Sequence, residues 1–409
     1  MSNTVPLPAL SDGTKRTLLG AWLYTEISFF AWILLGPLSL YLSRDLGLSR
    51  GDLGLLVSLP ILAGTLLHLP VGMLTDRFGA WRVGLSAHGV MILALALLAW
   101  PGSLGWSGLA LSAFLLGSAG VSFAIALPLV SARFPVEHQG KALGLTAFGG
   151  TGALLAAFLA PALAESHGWH AVMGLALGLT LFSALVFGWT ARDVLPPREH
   201  PSWSHYLYIL RYADTWWFCL FYAITFGGTI SLASSLVLYF HERFHLTPTL
   251  AGGVTTVCIL ASALARPVGG WLADHWGGIR TLQAGFAVIA LCVLLLSLMP
   301  AAAPALPSVL LVAVVMAAFG TGNGALFQLL PIRFRRHMGV ITGLVGAAGG
   351  LGGFFFVFAA SGLHQWTEAF QPVFLFYGGL GLLALVGLAS VKRRWRTTWG
   401  APQATTARV

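Results

Sequence analysis

Leu66-Leu-His68-Leu-Pro-Val-Gly72-Met-Leu-Thr-Asp76-Arg77-Phe-Gly79-Ala-Trp-Arg82 returns later in the chain as Leu264-Ala-Arg266-Pro-Val-Gly-Gly270-Trp-Leu-Ala-Asp274-His-Trp-Gly277-Gly-Ile-Arg280. Gly72, Leu74, Asp76, Gly79 and Arg82 recur as Gly270, Leu272, Asp274, Gly277 and Arg280. In this register Arg266 falls opposite His68. The chain therefore reads as one plan written twice. Each copy is an apolar run that ends in a short charged turn. Arg266 interrupts a run, Ile259 to Leu272, that is otherwise lipid-soluble. A permanent cation at membrane depth is costly unless it is paired or hydrated, so it marks a candidate functional site.

Composition sets the class. The 409 residues are 57% hydrophobic and 9% charged. A soluble domain carries about a quarter charged residues, so this chain cannot cover a water-facing surface. It reads as an all-α, multi-pass membrane protein. Its 50 glycines suit closely packed membrane helices. Cys219, Cys258 and Cys292 all lie in apolar runs without CxxC spacing and read as small core hydrophobes.

Apolar runs of about 20 residues predict twelve spans, at 17–42, 53–75, 82–101, 106–132, 141–164, 169–191, 213–240, 249–273, 280–300, 307–332, 339–363 and 371–391. Positive charge orients them. With both termini inside, Arg44, Arg50 and Arg243 are the only outside cations among the 22 Lys and Arg, and Arg266 lies mid-span. The basic balance, +9 net, is then a topology signal and not a nucleic-acid surface. The connection at 192–212, containing Pro196-Pro197-Arg-Glu-His-Pro201, separates a first six-helix half, 1–191, from a second, 213–409. Equal span counts give both halves one orientation. That is the parallel-repeat plan of a transporter with its site between halves at mid-membrane.

Two further patterns carry chemistry. The charged turns, with Asp76, Arg77 and Arg82 in one copy and Asp274 and Arg280 in the other, can pair with neighbouring helix ends in one conformational state and so bias a two-state equilibrium. The first turn resembles the loop signature between spans 2 and 3 of the major facilitator superfamily, and the second lies where that superfamily has its weaker copy. Spans 5 and 11 are glycine-dense: Gly140-Lys-Ala-Leu-Gly144-Leu-Thr-Ala-Phe148-Gly-Gly150-Thr151-Gly152 and Gly343-Leu-Val-Gly346-Ala-Ala-Gly349-Gly350-Leu-Gly352-Gly353-Phe354. Such runs weaken a helix in water but let backbones touch a neighbouring helix or a small substrate.

These spans, with Phe30-Ala-Trp32-Ile-Leu-Leu-Gly-Pro37, Gly117-Ser-Ala-Gly120-Val-Ser-Phe123, Thr225-Phe226-Gly227-Gly228 and Gly320-Thr-Gly-Asn323-Gly324-Ala-Leu-Phe327, resemble the nitrate/nitrite porter family of the major facilitator superfamily over about residues 20–390. The resemblance implies a cytoplasmic (inner) membrane carrier of nitrate or nitrite working by alternating access. It also implies substrate-clamping arginines in spans 2 and 8. Arg266 matches the second of these. His68 stands at the first, and Thr151 stands nearest an asparagine of the family's span 5.

The expected substrate-binding residues are Arg266, His68, Asn323, Thr151, Gly150, Gly349, Gly350, Phe148 and Phe327. A guanidinium suits a planar oxyanion through paired hydrogen bonds. His68 either donates to the same anion, carrying charge when protonated, or is a neutral core histidine. Glu26, about halfway into span 1, is a proton carrier, a counter-charge for Arg266 or His68, or a residue reaching the inner face. No cofactor is expected. The expected partners are nitrate or nitrite, protons and the lipid bilayer, with no nucleic acid, and the expected assembly is a monomer. The competing readings are a carrier for another small anion such as a monocarboxylate, and an anion sensor that does not translocate. No HExxH, GxSxG or paired-carboxylate pattern points to an enzyme.

Overall fold

A computed structural model describes residues 12–102, 104–133, 146, 149–191, 209–300, 302–334 and 338–398. Its regular elements are helical: α1 (Asp12–Ile33), α2 (Ser39–Leu46), α3 (Arg50–Phe78), α4 (Ala80–Ala99), α5 (Gly105–Leu116), α6 (Ser122–Arg133), α7 (Gly152–His167), α8 (Trp169–Thr190), α9 (Ala213–Phe244), α10 (Pro248–Trp276), α11 (Gly278–Ser297), α12 (Ala305–Phe334), α13 (Met338–Thr367) and α14 (Gln371–Thr398). A 3-10 turn at Gly117–Val121 joins α5 to α6, and another at Gly149–Thr151 leads into α7. Among the described residues, 10 stretches are long and apolar enough to cross a membrane. Leu185, Val386 and Trp189 are 74%, 70% and 68% exposed. Apolar side chains exposed on so many helices suit a lipid surface, not water.

Two expected spans look different in the structure. The first is broken: α1 stops at Ile33, a turn runs through residues 34–38, and α2 follows. Pro37 lacks an N–H and cannot extend α1. Gly36 lies against α9, where a Cβ would come within 2.5 Å of the Ser234 carbonyl oxygen and 2.7 Å of its Cα. The second is span 5. Its latter part is the 16-residue α7, and Gly140 to Gly144 and Phe148 lie outside the described residues.

The sequence repeat is a structural repeat at its turns. Gly79 has φ 89° and Gly277 has φ 94°, a region that a side chain strongly disfavours. Their N–H groups donate to the carbonyls of Thr75 and Ala273, both at 3.0 Å. Helix packing repeats too. The pairs α4–α8, α1–α7 and α4–α5 correspond to α11–α14, α9–α13 and α11–α12. Across the two sets, α3 runs antiparallel to α13, with Gly51 against Gln365, Gly54 against Ser361, Gly353 against Ile61 and Gly350 against Thr65. Helix α10 crosses α7, where Gly252 meets the Ala157 carbonyl and Pro161, and Thr249 donates to Glu165 at 2.7 Å.

Contact between the sets is uneven along the helices. It is tight from Gly51 to Thr65 of α3. Farther on it loosens, so that a Cβ on Gly346 or Gly343 would reach only 3.9 Å from His68 or Leu69. Gly72 has nothing within 4 Å of a built Cβ. Among the described residues, α3 and α13 close tightly at the end holding Arg50 and pack more loosely toward the charged turns.

At the loose end one carboxylate gathers three donors. Asp214, buried at the start of α9, accepts from Arg333 Nε at 2.7 Å, from Trp395 Nε1 at 2.9 Å and from Arg394. This cluster ties α9, α12 and α14 together.

Candidate functional site

Arg266 is placed by the packing of α10 on α12. Gly320 lies against the Ser262 carbonyl, Gly324 against the Arg266 carbonyl and Gly269 against Thr321. Any Cβ at these glycines would overlap backbone, so α10 and α12 meet main chain to main chain around Arg266. Pro267 adds a missing N–H next to it. The guanidinium lies over Phe226 at 6.0 Å from the ring centroid, inside the range where a cation gains from an aromatic face. No described residue forms an ion pair with it, and its Nε is buried without a hydrogen-bond partner. A half-buried cation left in this state has unspent capacity to bind an anion.

The aromatic floor is ordered. Tyr222 stacks on Phe226 one turn away, with centroids 5.1 Å apart and planes 5° apart. Phe327 meets Tyr222 edge-on at 5.4 Å. Gly349 of α13 packs on both Tyr222 and Phe226, at 2.6 and 2.9 Å from a built Cβ, so any larger residue would displace the rings. Phe226 also packs against both of the large hydrophobic cores, one formed mainly by α9–α14 and one by α1–α8. The site is therefore at the junction of the two helix sets. Asn323 sits on α12 one turn from Phe327. It is fully buried, and neither its Oδ1 nor its Nδ2 has a partner. Buried amides are rarely left so.

A second group lies on the other helix set. His68 Nε2 is 3.9 Å from a built Cβ on Gly346 of α13, and the ring bonds the backbone of Gly120. Gly120 packs on Trp32, whose Nε1 donates to the Pro60 carbonyl at 2.9 Å. Trp32 meets Phe29 edge-on, and Phe29 meets Phe123 at 4.9 Å and lies 3.9 Å from a built Cβ on Gly150. Glu26 is 8% exposed and accepts from the Thr151 hydroxyl at 2.9 Å. Among the described residues it makes no ion pair with Arg266 or His68, and its carboxylate is held by the 3-10 turn that leads into α7. Thr151 in turn has its hydroxyl proton committed to Glu26.

The structure thus gathers Arg266, Phe327 and Gly349, with Asn323 a turn away on α12. His68 reaches the same stretch of α13 through Gly346, and Gly350 packs on Thr65 of α3. Gly150, Thr151 and Glu26 form a neighbouring group on α1 and the entry to α7. Phe148 lies outside the described residues, as does the side chain of Asp76. Arg77, Arg82, Asp274 and Arg280 are exposed, and none forms an ion pair with another described residue. Sequence reasoning missed Tyr222. It is separated from Phe226 by one helical turn, and that i, i+4 spacing is the signal that could have found it.

Comparison with known proteins follows the same line. The model of the Major Facilitator Superfamily matches residues 21–357. The "Nitrite extrusion protein" of Bacillus subtilis is 31% identical over 88% of this chain and 89% of its own length. The "Probable nitrate/nitrite transporter NarK2" of Mycobacterium tuberculosis is 33% identical over 83% and 86%. The "Probable nitrate/nitrite antiporter NarK1" of Thermus thermophilus is 32% identical over 86% of each chain. Among solved structures, a bacterial homologue of the lysosomal transporter Spinster, inward-facing and unoccupied, superposes with a TM-score of 0.75 at 15% identity, over 94% of this chain and 98% of that one.

Proposed function

Since the chain belongs to the major facilitator superfamily, among its nitrate/nitrite porters, we propose that it is a secondary carrier moving nitrate, nitrite or both across the cytoplasmic membrane by alternating access. The observation that carries this reading is Arg266, whose guanidinium forms no ion pair among the described residues and has a buried Nε without a hydrogen-bond partner, on a rigid mount over Phe226, a ring that touches both cores. Two coplanar oxygens of a nitrogen oxyanion match the guanidinium fork. The ring below excludes water and stacks on the ion's flat face. Asn323, with a free donor and a free acceptor, supplies a further hydrogen bond to an oxygen. His68 approaches across the interface and supplies the opposing donor. Gly349 and Gly350 keep α13 close enough for both contacts.

The frame for this chemistry is twelve spans in two six-helix halves, 1–191 and 213–409, with the 192–212 linker and both termini in the cytoplasm. The ten long apolar stretches, the broken first span and α7 supply the helices, and the Lys and Arg distribution supplies the orientation. In this frame the end holding Arg50 is outer and closed. The end holding Asp274 and Arg280 is inner.

An inside-negative potential opposes entry of a monovalent anion by about 2.3 kcal/mol per 100 mV. Uptake therefore needs a co-transported proton, with His68 or Glu26 as carrier, or an exchanged anion. Exchange is favoured by the nitrate/nitrite antiporter among the relatives. Flux of labelled nitrate and of labelled nitrite into proteoliposomes, with and without a pH gradient and with and without the other anion inside, tests all of this. Absence of flux for both ions in every format would remove the substrate reading. A monocarboxylate competing as well as nitrate would replace it.

A further inference from the structure

At the closed end three charged or titratable side chains meet, and the proposed mechanism uses none of them. Arg50 begins α3. Glu242 lies in the last turn of α9, and His364 lies in the last turn of α13. Arg50 Nη1 is 3.3 Å from Glu242 Oε2, and His364 Nε2 is 2.8 Å from the same oxygen. Arg50 also contacts His364 Nε2. The His364 side chain is only 7% exposed, whereas Arg50 is 41% and Glu242 27% exposed.

We infer that Arg50, Glu242 and His364 form a proton-responsive latch across the outer end of the carrier, with His364 taking the proton. The inference rests on the carrier reading above but not on the identity of the anion.

The argument is one of valence. A single ring nitrogen cannot both accept from Arg50 and donate to Glu242. When the ring is neutral with its hydrogen on Nδ1, the Nε2 lone pair accepts from Arg50. Arg50 then holds both His364 and Glu242, and both bonds run from α3 to the α9–α13 pair. A proton added at Nε2 consumes that lone pair. The new N–H donates to Glu242, and the imidazolium repels the guanidinium. One of the two bonds between the helix sets, Arg50 to His364, is exchanged for a bond between α9 and α13, and Arg50 keeps only Glu242 across the interface. Acid thus weakens the latch, and loss of the proton restores it.

The surroundings suit this exchange. A cavity of about 40 Å³ lies beside the cluster, lined by Arg50, His364, Ser39, Ser234 and Ser361. It is large enough for ordered water that can carry the proton. His364 is stacked on Phe370 at 4.0 Å, which fixes the ring while its partners change.

The other titratable and charged groups at this end have their own contacts or lie apart. Asp52 of α3 bonds Ser49, His241 Nδ1 lies 2.7 Å from the Leu246 carbonyl, Arg243 bonds the Pro300 carbonyl and Glu165 bonds Thr249. Arg44 and Asp45 on α2, His167, His170, His245 and Glu368 complete the set. Of these, His241 acts electrostatically on Glu242, so it needs its own control.

Spin labels at Leu46→Cys on α2 and Leu298→Cys after α11, both exposed, report the outer opening in the full-length protein in liposomes. The wild type should shift toward the open distance by about fivefold in population as pH falls from about 8 to about 6. His364→Gln should abolish that shift while His241→Gln keeps it. Glu242→Gln and Arg50→Gln should both be open at either pH. A shift in His364→Gln equal to the wild type would overturn the inference. So would closed distances in both Glu242→Gln and Arg50→Gln, which also decide the matter if His364→Gln does not fold. Loss of nitrate and nitrite flux with the pH shift intact would instead remove the substrate reading alone.

Discussion

The two copies of the repeated segment end alike and are mounted differently. Both close on a glycine at φ near 90°, Gly79 and Gly277. Their backbone anchors are at different heights. On α10 the anchor is at Ser262 to Gly270, against Gly320 and Gly324, so Arg266 sits within it. On α3 the anchor is at Pro60 to Gly64, where Gly117 packs against Ala63 and the Pro60 carbonyl. His68 lies one turn past it, on the part of α3 that parts from α13. One copy holds its cation rigidly. The other carries its titratable residue one turn past its anchor, where α3 packs loosely on α13. A binding group gains from pre-organisation, whereas a group that couples proton to movement needs two environments.

The largest effect expected from breaking this arrangement is at Arg266. Arg266→Ala removes two charge-assisted hydrogen bonds, about 3 kcal/mol together, so anion affinity measured by calorimetry or competition should fall about 100-fold. Arg266→Lys keeps the charge but loses the fork. A fall of about tenfold is expected, and full affinity would show that the anion is not bound in bidentate fashion. Gly324→Ala attacks the mount instead of the cation. Overpacking there should cost about 1–3 kcal/mol, read as a lower melting temperature together with weaker anion binding. A melting temperature unchanged from wild type would mean that the backbone contact is not as tight as described.

His68→Arg sharpens the contrast. It places a second permanent cation on the loosely packed stretch, so transport should persist while its response to a proton gradient disappears. An unaltered response would move the coupling to Glu26 or to the outer latch. Asn323→Ala should weaken binding by about 1 kcal/mol, roughly fivefold, as the loss of one neutral hydrogen bond. The smallest effect belongs to Arg280→Gln. An exposed, unpaired cation contributes little in the state described, so stability should hold within about 0.5 kcal/mol, and any change in transport would report the opposite conformational state.

The all-helical membrane class and the lone cation were legible in the sequence because both are local signals. Apolar runs of membrane length, a repeat with matched Gly and Asp, and a lone arginine in lipid-soluble surroundings need no knowledge of distant contacts. The break at residues 34–38 was written there as Gly36-Pro37, but the run around it stays apolar and hydropathy reads it as continuous. Tyr222 was hidden because α9 is apolar on nearly every face, which leaves no polar side to fix the helix phase. The pairing of Glu26 with Thr151, the three donors on Asp214 and the meeting of Arg50, Glu242 and His364 join residues from distant helices. At a span end, Arg50 or Glu242 reads as a topology charge, and nothing nearby in the chain names its partner.

The backbone contact between α10 and α12 has a consequence for selectivity. Arg266 and Asn323 ride on two helices that cannot slide past each other without glycine meeting carbonyl, so in the proposed carrier their mutual geometry would stay fixed through the cycle. An anion bound there as proposed would meet the same pair of groups whichever side of the membrane it arrives from. Asymmetry between loading and release would then fall to α3 and α13, whose packing loosens along their length.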